Sequence, residues 1–323
     1  MFRCLQPSVF QGSLKRRSYF EGWYIKCLSD DLSSSVAFIP GISLSEDRHA
    51  FIQVNTSGGR TEYIRFPLGD FTFNPRLFDI SIAKNRFSAE GVYLDIERPG
   101  ISLHGSLSFS NMHKFPSAFL SPGIMGWFSF VPFMECYHGV VSMRHRIEGN
   151  LRYNGQEYLF GEGTGYIEKD WGRSFPRSWV WMQANPFRNS DASFMLSIAR
   201  IPWMGHWFPG LIGYLYHEGK LNRFATYLGD KTHELKIRGN ELQIMLGKRR
   251  QRLTVTANQN GNGQLIAPVK GKMNRTMKES MNATLHVKLE NDKGDLIFND
   301  ISYIGGLEIA GNVKSLRNIK KSM

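Results

Sequence analysis

The densest group of chemically capable side chains lies between residues 165 and 185, where carboxylic acids are interleaved with tryptophans. An ionised carboxylate loses much of its stabilisation when it leaves water. An apolar surrounding therefore raises a carboxyl pKa, and a carboxylic acid that stays neutral can donate a proton. The group suits a reaction that begins by protonating a weakly basic atom. Its members are Glu168, Lys169, Asp170, Trp171, Arg173, Trp179, Trp181, Gln183 and Asn185.

Acids lie beside aromatic residues at further points of the chain. The pairings are Glu21 with Trp23 and Tyr24, Glu135 with Tyr137 and His138, and Glu168 with Tyr166 and Trp171. One reaction class uses these ingredients together, because protonating a carbon–carbon double bond needs a positioned acid in a dry pocket. Aromatic faces stabilise the resulting cation, and water or a phenol then closes the reaction. The alternative is structural, with the acids simply paired to Lys169, Arg173 or Arg177.

Other chemistries lack their motifs. The nine histidines are scattered, none forms HExxH, and no pair has a third ligand at a suitable spacing, so the sequence predicts no metal site. There is no GxSxG elbow, no P-loop and no βαβ unit for a dinucleotide. Serine hydrolysis, phosphoryl transfer and nicotinamide redox chemistry are therefore disfavoured, and no cofactor is expected.

Short alternations of apolar and polar residues recur about every ten residues, separated by Gly, Asn and Asp. This spacing predicts an all-β sandwich or barrel, and the best candidate for a short helix is Lys270–Lys278. Two segments, Arg17–Ile25 and Arg177–Gln183, both begin Arg-Ser and then alternate aromatics. They indicate two β-barrel-like halves with a boundary near residue 165.

The same alternation places side chains on faces. Tyr19, Glu21, Trp23 and Ile25 share one face of the first segment, and Trp179, Trp181, Gln183 and Asn185 share one face of the second. Such faces line either a ligand cavity with polar anchor points or a core in which Gln183 and Glu21 satisfy the tryptophan N–H groups. The sequence leaves both interpretations open.

Two apolar segments broken by Pro and Gly, Phe115–Phe133 and Ile201–Tyr216, are predicted to be loops. They either plug a barrel end or lie on a membrane at the mouth of a lipid site. The formal net charge is +12, with basic clusters at Lys15–Arg17, Lys248–Arg252 and Lys314–Lys321. These clusters fit solvated loops, an anionic membrane surface or, less well, nucleic acid.

Compartment signals are few. The three cysteines form no CxxC and favour a reducing environment. The N-terminus has no apolar signal-peptide core, and no run of 18 apolar residues predicts a spanning helix. The sequence predicts a cytoplasmic protein, peripheral on the inner face of the membrane, and leaves the oligomeric state open.

Several motifs together resemble the tocopherol cyclase family. They are Phe20–Tyr24 (FEGWY), Pro132–Glu135 (PFME), Glu168–Gly172 (EKDWG), the run Phe175–Asn185 and, more faintly, Gly306–Gly311. The resemblance implies an all-β fold of two lipocalin-like β-barrel domains packed together with few short helices, akin to the carotenoid hydratase group. It implies domains at 1–164 and 165–313 with a basic tail at 314–323. It also implies cofactor-free cyclisation of a prenylated quinol, whose phenol adds across a prenyl double bond to give a chromanol.

The resemblance also implies roles for individual residues. Glu168 is the expected general acid, and Glu135 its partner or the base. The expected catalytic residues are Glu168, Glu135, Tyr166 and Asp170. The expected substrate-binding residues are Glu21, Trp23, Tyr24, Tyr137, His138, Trp171, Trp179, Trp181, Gln183 and Asn185.

This chain departs from the plant cyclase pattern in two places. Asp170 stands where the plant enzymes have Asn, which argues against an indispensable role for this acid in the shared chemistry. The histidine that follows Glu135 is shifted by one place to His138, which leaves its role open. Two alternatives remain beside cyclisation, namely hydration of an isoprenoid double bond and binding of an isoprenoid lipid without turnover. No nucleic acid partner is expected.

Overall fold

The computed structural model describes residues 3–248, 251–261 and 263–316, which divide into two compact units. The first unit comprises Met1–Phe175 with Leu265–Thr276, and the second comprises Pro176–Gln264 with Met277–Met323. Residues 317–323 of the predicted basic tail and residues 249–250 of one basic cluster lie outside the described residues. Five 3₁₀ turns, at Arg3–Leu5, Leu68–Asp70, Gly126–Phe130, Thr226–Leu228 and Val313–Leu316, are the only helical elements in the described part of the chain.

The first unit is built on one 11-stranded antiparallel sheet in the order β4-β3-β2-β1-β11-β10-β9-β8-β7-β6-β5. Its strands are β1 Tyr19–Leu28, β2 Ser35–Leu44, β3 His49–Thr56, β4 Thr61–Pro67, β5 Phe71–Phe73, β6 Asp79–Ile82, β7 Asn85–Ser88, β8 Gly91–Arg98, β9 Ile101–His113, β10 Cys136–Tyr153 and β11 Gln156–Gly172. Residues 265–276 join this unit, and the Gln53 side chain exchanges two hydrogen bonds with the backbone of Ile266.

The sheet of the first unit curls around a single hydrophobic core. Ile64 on edge strand β4 and Phe71 on the opposite edge strand β5 belong to the same buried cluster. Side chains of the central strands β1 and β11, such as Trp23 and Ile167, fill the middle of that cluster. Since the two edges share one core, the sheet is a nearly closed barrel, as expected for a lipocalin-like fold.

The second unit is built on a 10-stranded sheet in the order β15-β14-β13-β12-β21-β20-β18-β17-β16, whose tenth strand, β19, pairs with β20. Residues 265–276, which include most of β19 and the start of β20, belong to the first unit. Its strands are β12 Trp179–Ala184, β13 Ser193–Trp203, β14 His206–His217, β15 Lys220–Ala225, β16 Lys231–Arg238, β17 Glu241–Lys248, β18 Gln251–Asn258, β19 Gly263–Val269, β20 Lys272–Asn291 and β21 Leu296–Ala310. Val180, Met182 and Ala184 of β12 point into its core.

The two segments identified as counterparts occupy equivalent topological positions. Strand β1 is the fourth in its sheet and pairs with β2 and β11, while β12 is the fourth in its sheet and pairs with β13 and β21. In both sheets, therefore, the first strand of the unit pairs with a long strand that comes late in the chain. The short Arg-Ser-aromatic similarity marks the same structural position in each unit.

The predicted all-β, lipocalin-like class is confirmed, and two local predictions are wrong. Lys270–Lys278 is not helical, because β20 begins at Lys272 and its side chains alternate between buried and exposed. Ile201–Tyr216 is not a loop but most of the β13–β14 hairpin, which turns at Met204 and Gly205, both with positive φ.

The first unit extends beyond the predicted boundary at residue 165, since β11 runs on to Gly172. None of the described helices is long and apolar enough to cross a membrane.

Candidate functional site

Three neighbouring strands of the first unit carry the candidate acid. Strand β11 pairs with β1 on one side and β10 on the other, so that Glu168 lies opposite both Tyr24 and Val140. Asp170 lies opposite His138 in the same register. Because side chains alternate along a strand, these residues share the face opposite the one that Ile167 and Trp171 present to the core.

The start of β10 approaches β11 closely because residue 172 is glycine. Gly172 has a φ of 147°, and a Cβ placed there would lie 2.5 Å from the carbonyl oxygen of Glu135. That carbonyl also accepts hydrogen bonds from the backbone N–H groups of Arg173 and Ser174, at 2.9 and 3.1 Å. A side chain at position 172 would push this backbone away, and with it the strand that carries His138.

The polar groups on this face form a continuous chain. The Tyr166 hydroxyl donates a hydrogen bond to Glu168 Oε2 at 2.6 Å. His138 Nε2 lies 3.4 Å from the same oxygen, and His138 Nδ1 lies 3.0 Å from Asp170 Oδ1. Glu168 is only 4% exposed. The order Asp170–His138–Glu168–Tyr166 places one imidazole between two carboxylates, an arrangement that can hold and pass a proton.

The electrostatics of this chain favour a protonated imidazole. Burial alone would lower the pKa of His138, but the charges of Glu168 and Asp170 and the hydrogen bond to Asp170 together raise it to about 9. Burial raises the pKa of the neighbouring Cys136 thiol, and the charges of Asp170, Glu135 and Glu168 raise it further. The three carboxylates therefore all lie within electrostatic reach of one thiol, which brings Glu135 into the same neighbourhood.

His138, Glu168 and Asp170 each offer one ligand atom, and these atoms lie within 4.8 Å of one another. Residue spacing along the sequence gave no sign of this group, since its members come from two strands. A metal ion binds the neutral form of imidazole and must displace its proton. With the pKa of His138 raised to about 9, a proton competes strongly for this position near neutral pH. A proton and a metal ion would therefore compete for the same group of side chains.

The same face holds a buried lysine that sequence reasoning missed. Lys26 is fully buried and lies opposite Tyr166 in the β1–β11 register. Tyr24, two residues earlier on the same strand, is also buried and lies opposite Glu168. No motif marks Lys26, because a lysine in a strand ordinarily points to solvent.

A cleft of about 440 Å³ lies in the first unit, and the residues that line it include charged ones but not His138, Glu168 or Asp170. Its walls include the apolar residues Phe78, Phe115 and Val140. The cleft lies beside an open stretch of β10, since β9 pairs with β10 only from Arg144 onward. Val140, which lines the cleft, lies directly opposite Glu168 on the neighbouring strand. The Cβ atoms of such a pair are about 5 Å apart.

Other predicted site residues of the first unit lie on the opposite, core-facing side. Glu21 is fully buried and forms an ion pair with buried Lys169, which also lies over the ring of Trp23 with its Nζ 4.4 Å from the centroid. Trp171 stacks on Tyr137 with ring centroids 5.6 Å apart. The Trp23 N–H donates to the carbonyl of Ser8 at 2.9 Å. The structure therefore does not bring these residues together with Glu168.

The predicted residues of the second unit share one face of β12. Trp179, Trp181, Gln183 and Asn185 are all buried and lie opposite the face that enters the core of that unit. The Trp179 N–H donates to Glu308 Oε2 at 2.7 Å, and the Gln183 amide donates to Asn185 Oδ1 at 2.5 Å. A tryptophan N–H is thus satisfied by a carboxylate from β21, a partner that the sequence alternation does not indicate.

The raised pKa of His138 predicts how the stability of the protein depends on pH. Its pKa rises from 6.5 to about 9, so the favourable interactions of the imidazolium are fully present below about pH 6.5. They are lost as the pH rises through about 9, and the free energy of unfolding should fall over that window. An NMR titration of the ring resonances, assigned with a His138→Gln variant, measures the pKa directly. Asp170→Asn should lower it, and a wild-type value at or below 6.5 would contradict this geometry.

Comparisons with known proteins agree on one family. A family model described as tocopherol cyclase-like matches residues 107–311. The chloroplastic tocopherol cyclase of Zea mays and the probable chloroplastic tocopherol cyclase of Oryza sativa subsp. japonica are each 25% identical over 199 residues, or 58% of this chain. The matched regions cover 41% and 42% of those relatives. The chain thus spans about two fifths of the length of the curated relatives it matches.

Solved structures share the fold at low sequence identity. CghA with Sch210972 has a TM-score of 0.56 at 11% identity, covering 91% of this chain and 88% of that one. A putative AttH from Nitrosomonas europaea has a TM-score of 0.51 at 13% identity, covering 90% of this chain and 92% of that one. At these identities the likeness shows the fold alone.

Proposed function

This chain belongs to the tocopherol cyclase-like family, and from that premise we propose that it cyclises a prenylated quinol. In the proposed reaction the site protonates a carbon–carbon double bond of the isoprenoid tail, and the phenol oxygen then closes a chromanol ring. The observation that carries the proposal is the chain of groups Asp170–His138–Glu168–Tyr166, with Glu168 buried at its centre. Protonating an alkene requires an acid held in a place from which water is excluded.

The resting state of the cluster is an ion pair between Glu168 and protonated His138, because two carboxylates raise the pKa of the imidazole. A bound lipid removes water from the site and makes this charge separation costly. The proton then moves from His138 to Glu168, which becomes a neutral carboxylic acid beside the substrate.

The catalytic cycle needs no proton from outside the pair. Glu168 transfers its proton to a carbon of the double bond and becomes a carboxylate, leaving a tertiary cation on the substrate. The phenol oxygen attacks that cation, and neutral His138 accepts the phenol proton, which restores the ion pair. Asp170 keeps the imidazole oriented through Nδ1, at 3.0 Å. Glu135 as an alternative base stays a prediction.

The aromatic residues around the acid fit the charge of the intermediate. Tyr24 is buried and lies opposite Glu168 in the β1–β11 register. The Tyr166 hydroxyl donates a hydrogen bond to Glu168. A tyrosine ring can stabilise a nearby cation through its face. The hydrogen bond from Tyr166 holds the Glu168 carboxylate in place.

Incubating the purified protein with a panel of prenylated quinols, including a menaquinol, tests the proposal. Chromatography with mass spectrometry should find a product of unchanged mass and new retention time, since cyclisation is an isomerisation. A product heavier by one water would replace cyclisation with hydration. Lipid that binds but stays unchanged across the panel would overturn the enzymatic proposal in favour of isoprenoid binding.

A further inference from the structure

One segment of the first unit presents large apolar side chains to solvent. This segment, Lys114–Met134, is here called the apolar loop, and it forms the connection from β9 to β10 except for its last residue, Glu135. Phe119, Leu120 and Phe133 are 65%, 78% and 91% exposed. Trp127 and Phe130 are also exposed. Soluble proteins seldom expose so many large apolar side chains in one short stretch unless the surface binds something.

The apolar loop is held in a defined shape by hydrogen bonds. Ala118 and Ser121 exchange two backbone hydrogen bonds, at 3.2 and 3.0 Å, so that Phe119 and Leu120 form the tip of a tight turn. The Ser129 hydroxyl donates to the carbonyl of Pro122 at 3.0 Å and ties this turn to the following 3₁₀ turn. The exposed side chains are therefore positioned outward by a folded backbone.

A basic segment lies near the C-terminal end of the apolar loop, because Phe20, near the start of β1, and Cys136, at the start of β10, both lie opposite Gly172 of β11. Lys15, Arg16 and Arg17 are exposed, and the charge of Arg16 lowers the pKa of Tyr137, although burial leaves that pKa raised overall. The Tyr137 hydroxyl donates to the carbonyl of Val131 in the apolar loop at 2.7 Å. The sequence from Lys114 to Met134 contains no acidic residue. Apolar side chains beside exposed cations complement an anionic bilayer, which offers acyl chains below negative head groups.

The apolar loop also contacts the strand that carries the proton-holding cluster. The backbone N–H of His138 donates to Met125 Sδ at 3.1 Å. Residues 115 and 117 of the loop line the cleft next to Val140. A lipid that leaves a bilayer at this surface would arrive beside the cleft, and this last step alone rests on the proposed function.

We propose that the apolar loop is a membrane-docking surface that inserts Phe119, Leu120 and Phe133 into an anionic bilayer while Lys15–Arg17 contact the head groups. Binding is reversible and weakens with salt, because the electrostatic part is screened. This surface goes beyond the catalytic proposal, since docking needs neither the substrate nor turnover. The predicted location on the inner face of the membrane is consistent with it and stays a prediction.

Flotation of the full chain with vesicles tests the proposal. We expect binding to phosphatidylcholine vesicles that contain about 30% phosphatidylglycerol, and much weaker binding to pure phosphatidylcholine. The double variant Phe119→Ser/Leu120→Ser should weaken binding at least about tenfold, because each side chain loses most of its apolar transfer free energy. Leu159→Ser is the matched control, since Leu159 is 63% exposed on β11 of the same unit, and it should bind as the wild type does.

The charge is tested separately. Lys15→Gln/Arg17→Gln should weaken binding to the anionic vesicles about 25-fold, since each cation near the surface contributes roughly a factor of five. Lys84→Gln, which removes an exposed cation from the β6–β7 turn, should not. Equal binding of all variants, or no binding to anionic vesicles at any salt, would overturn the proposal. Self-association that the loop variants abolish, measured by sedimentation, would assign the surface to a second copy of the chain instead.

Discussion

Replacing Glu168 with glutamine is expected to lower turnover of a prenylated quinol by about 10²- to 10⁴-fold, the usual contribution of a general acid. Glutamine has nearly the same shape, and its carbonyl can still accept the 2.6 Å hydrogen bond from Tyr166. It cannot carry the transferable proton. Ligand binding, measured by lipid retention or fluorescence quenching, should therefore stay close to that of the wild type. The loss should appear in kcat, because the interaction that is removed acts in the transition state.

The matched control is Glu162→Gln on the same strand. Glu162 is exposed and pairs with Arg146 on the neighbouring strand, so its loss removes a charge from β11 without touching the cluster. Turnover of this variant should equal that of the wild type. If Glu168→Gln keeps normal turnover, Glu168 is not the acid, and the chemistry must be sought at Glu135. If it loses binding as well, the residue positions the ligand and its catalytic role is unproven.

The fold was predictable because its signal is local. Alternation with period two and the turn residues between strands suffice to predict an all-β chain, and the Arg-Ser-aromatic repeat located equivalent strands. The helix predicted at Lys270–Lys278 failed because methionine and lysine spacing at the start of β20 suits both periods, and the pairing of β20 in the sheet decides between them. The hairpin within Ile201–Tyr216 was missed because prolines and glycines there were taken as strand breakers.

The site was only partly predictable because the register between two strands depends on both of them and cannot be derived from one segment of the sequence. The motifs supplied Glu168 and Tyr166, and the family resemblance that they carry is confirmed by the match over residues 107–311. The position of His138 between Glu168 and Asp170 depends on how β10 pairs with β11. A shift of that register by one residue would turn His138 to the core. The sequence left the role of His138 open, and the structure adds its position between the two carboxylates.

Alternation also cannot tell which face of a strand meets the core. Glu21 and Trp23 were grouped with the candidate substrate-binding residues, but their face of β1 points into the core of the first unit. Tyr24 and Lys26, on the other face, accompany Glu168. In the second unit the opposite holds, since the Trp179 face of β12 points away from the core. In these two equivalent strands, the face that carries the predicted aromatic residues enters the core in β1 and points away from the core in β12.

The buried pair of Glu21 and Lys169 carries the second large prediction, a loss of stability. Glu21 accepts hydrogen bonds from the backbone N–H groups of Gln11 and Gly12, at 2.7 and 2.9 Å, and from the Tyr19 hydroxyl. Glu21→Gln leaves the Lys169 ammonium buried without its counter-charge. Removing one partner of a buried pair costs about 3–5 kcal/mol in the free energy of unfolding. Denaturant unfolding, followed by the fluorescence of the nearby tryptophans, should show this loss in the first unit.

Lys169 makes the effect depend on pH in a direction that can be checked. Burial lowers its pKa from 10.5 to about 8 despite the attraction of Glu21, and without Glu21 the pKa must fall further. Just below pH 8 the unfolded variant then binds more protons than the folded one, whereas the wild type does not, so the stability deficit of the variant should shrink as the pH rises towards 8. Glu21→Gln/Lys169→Met should recover much of the loss, and exposed Glu157→Gln should cost less than about 1 kcal/mol. Equal stability of Glu21→Gln and Glu157→Gln would show that the buried ion pair of Glu21 and Lys169 does not stabilise the first unit.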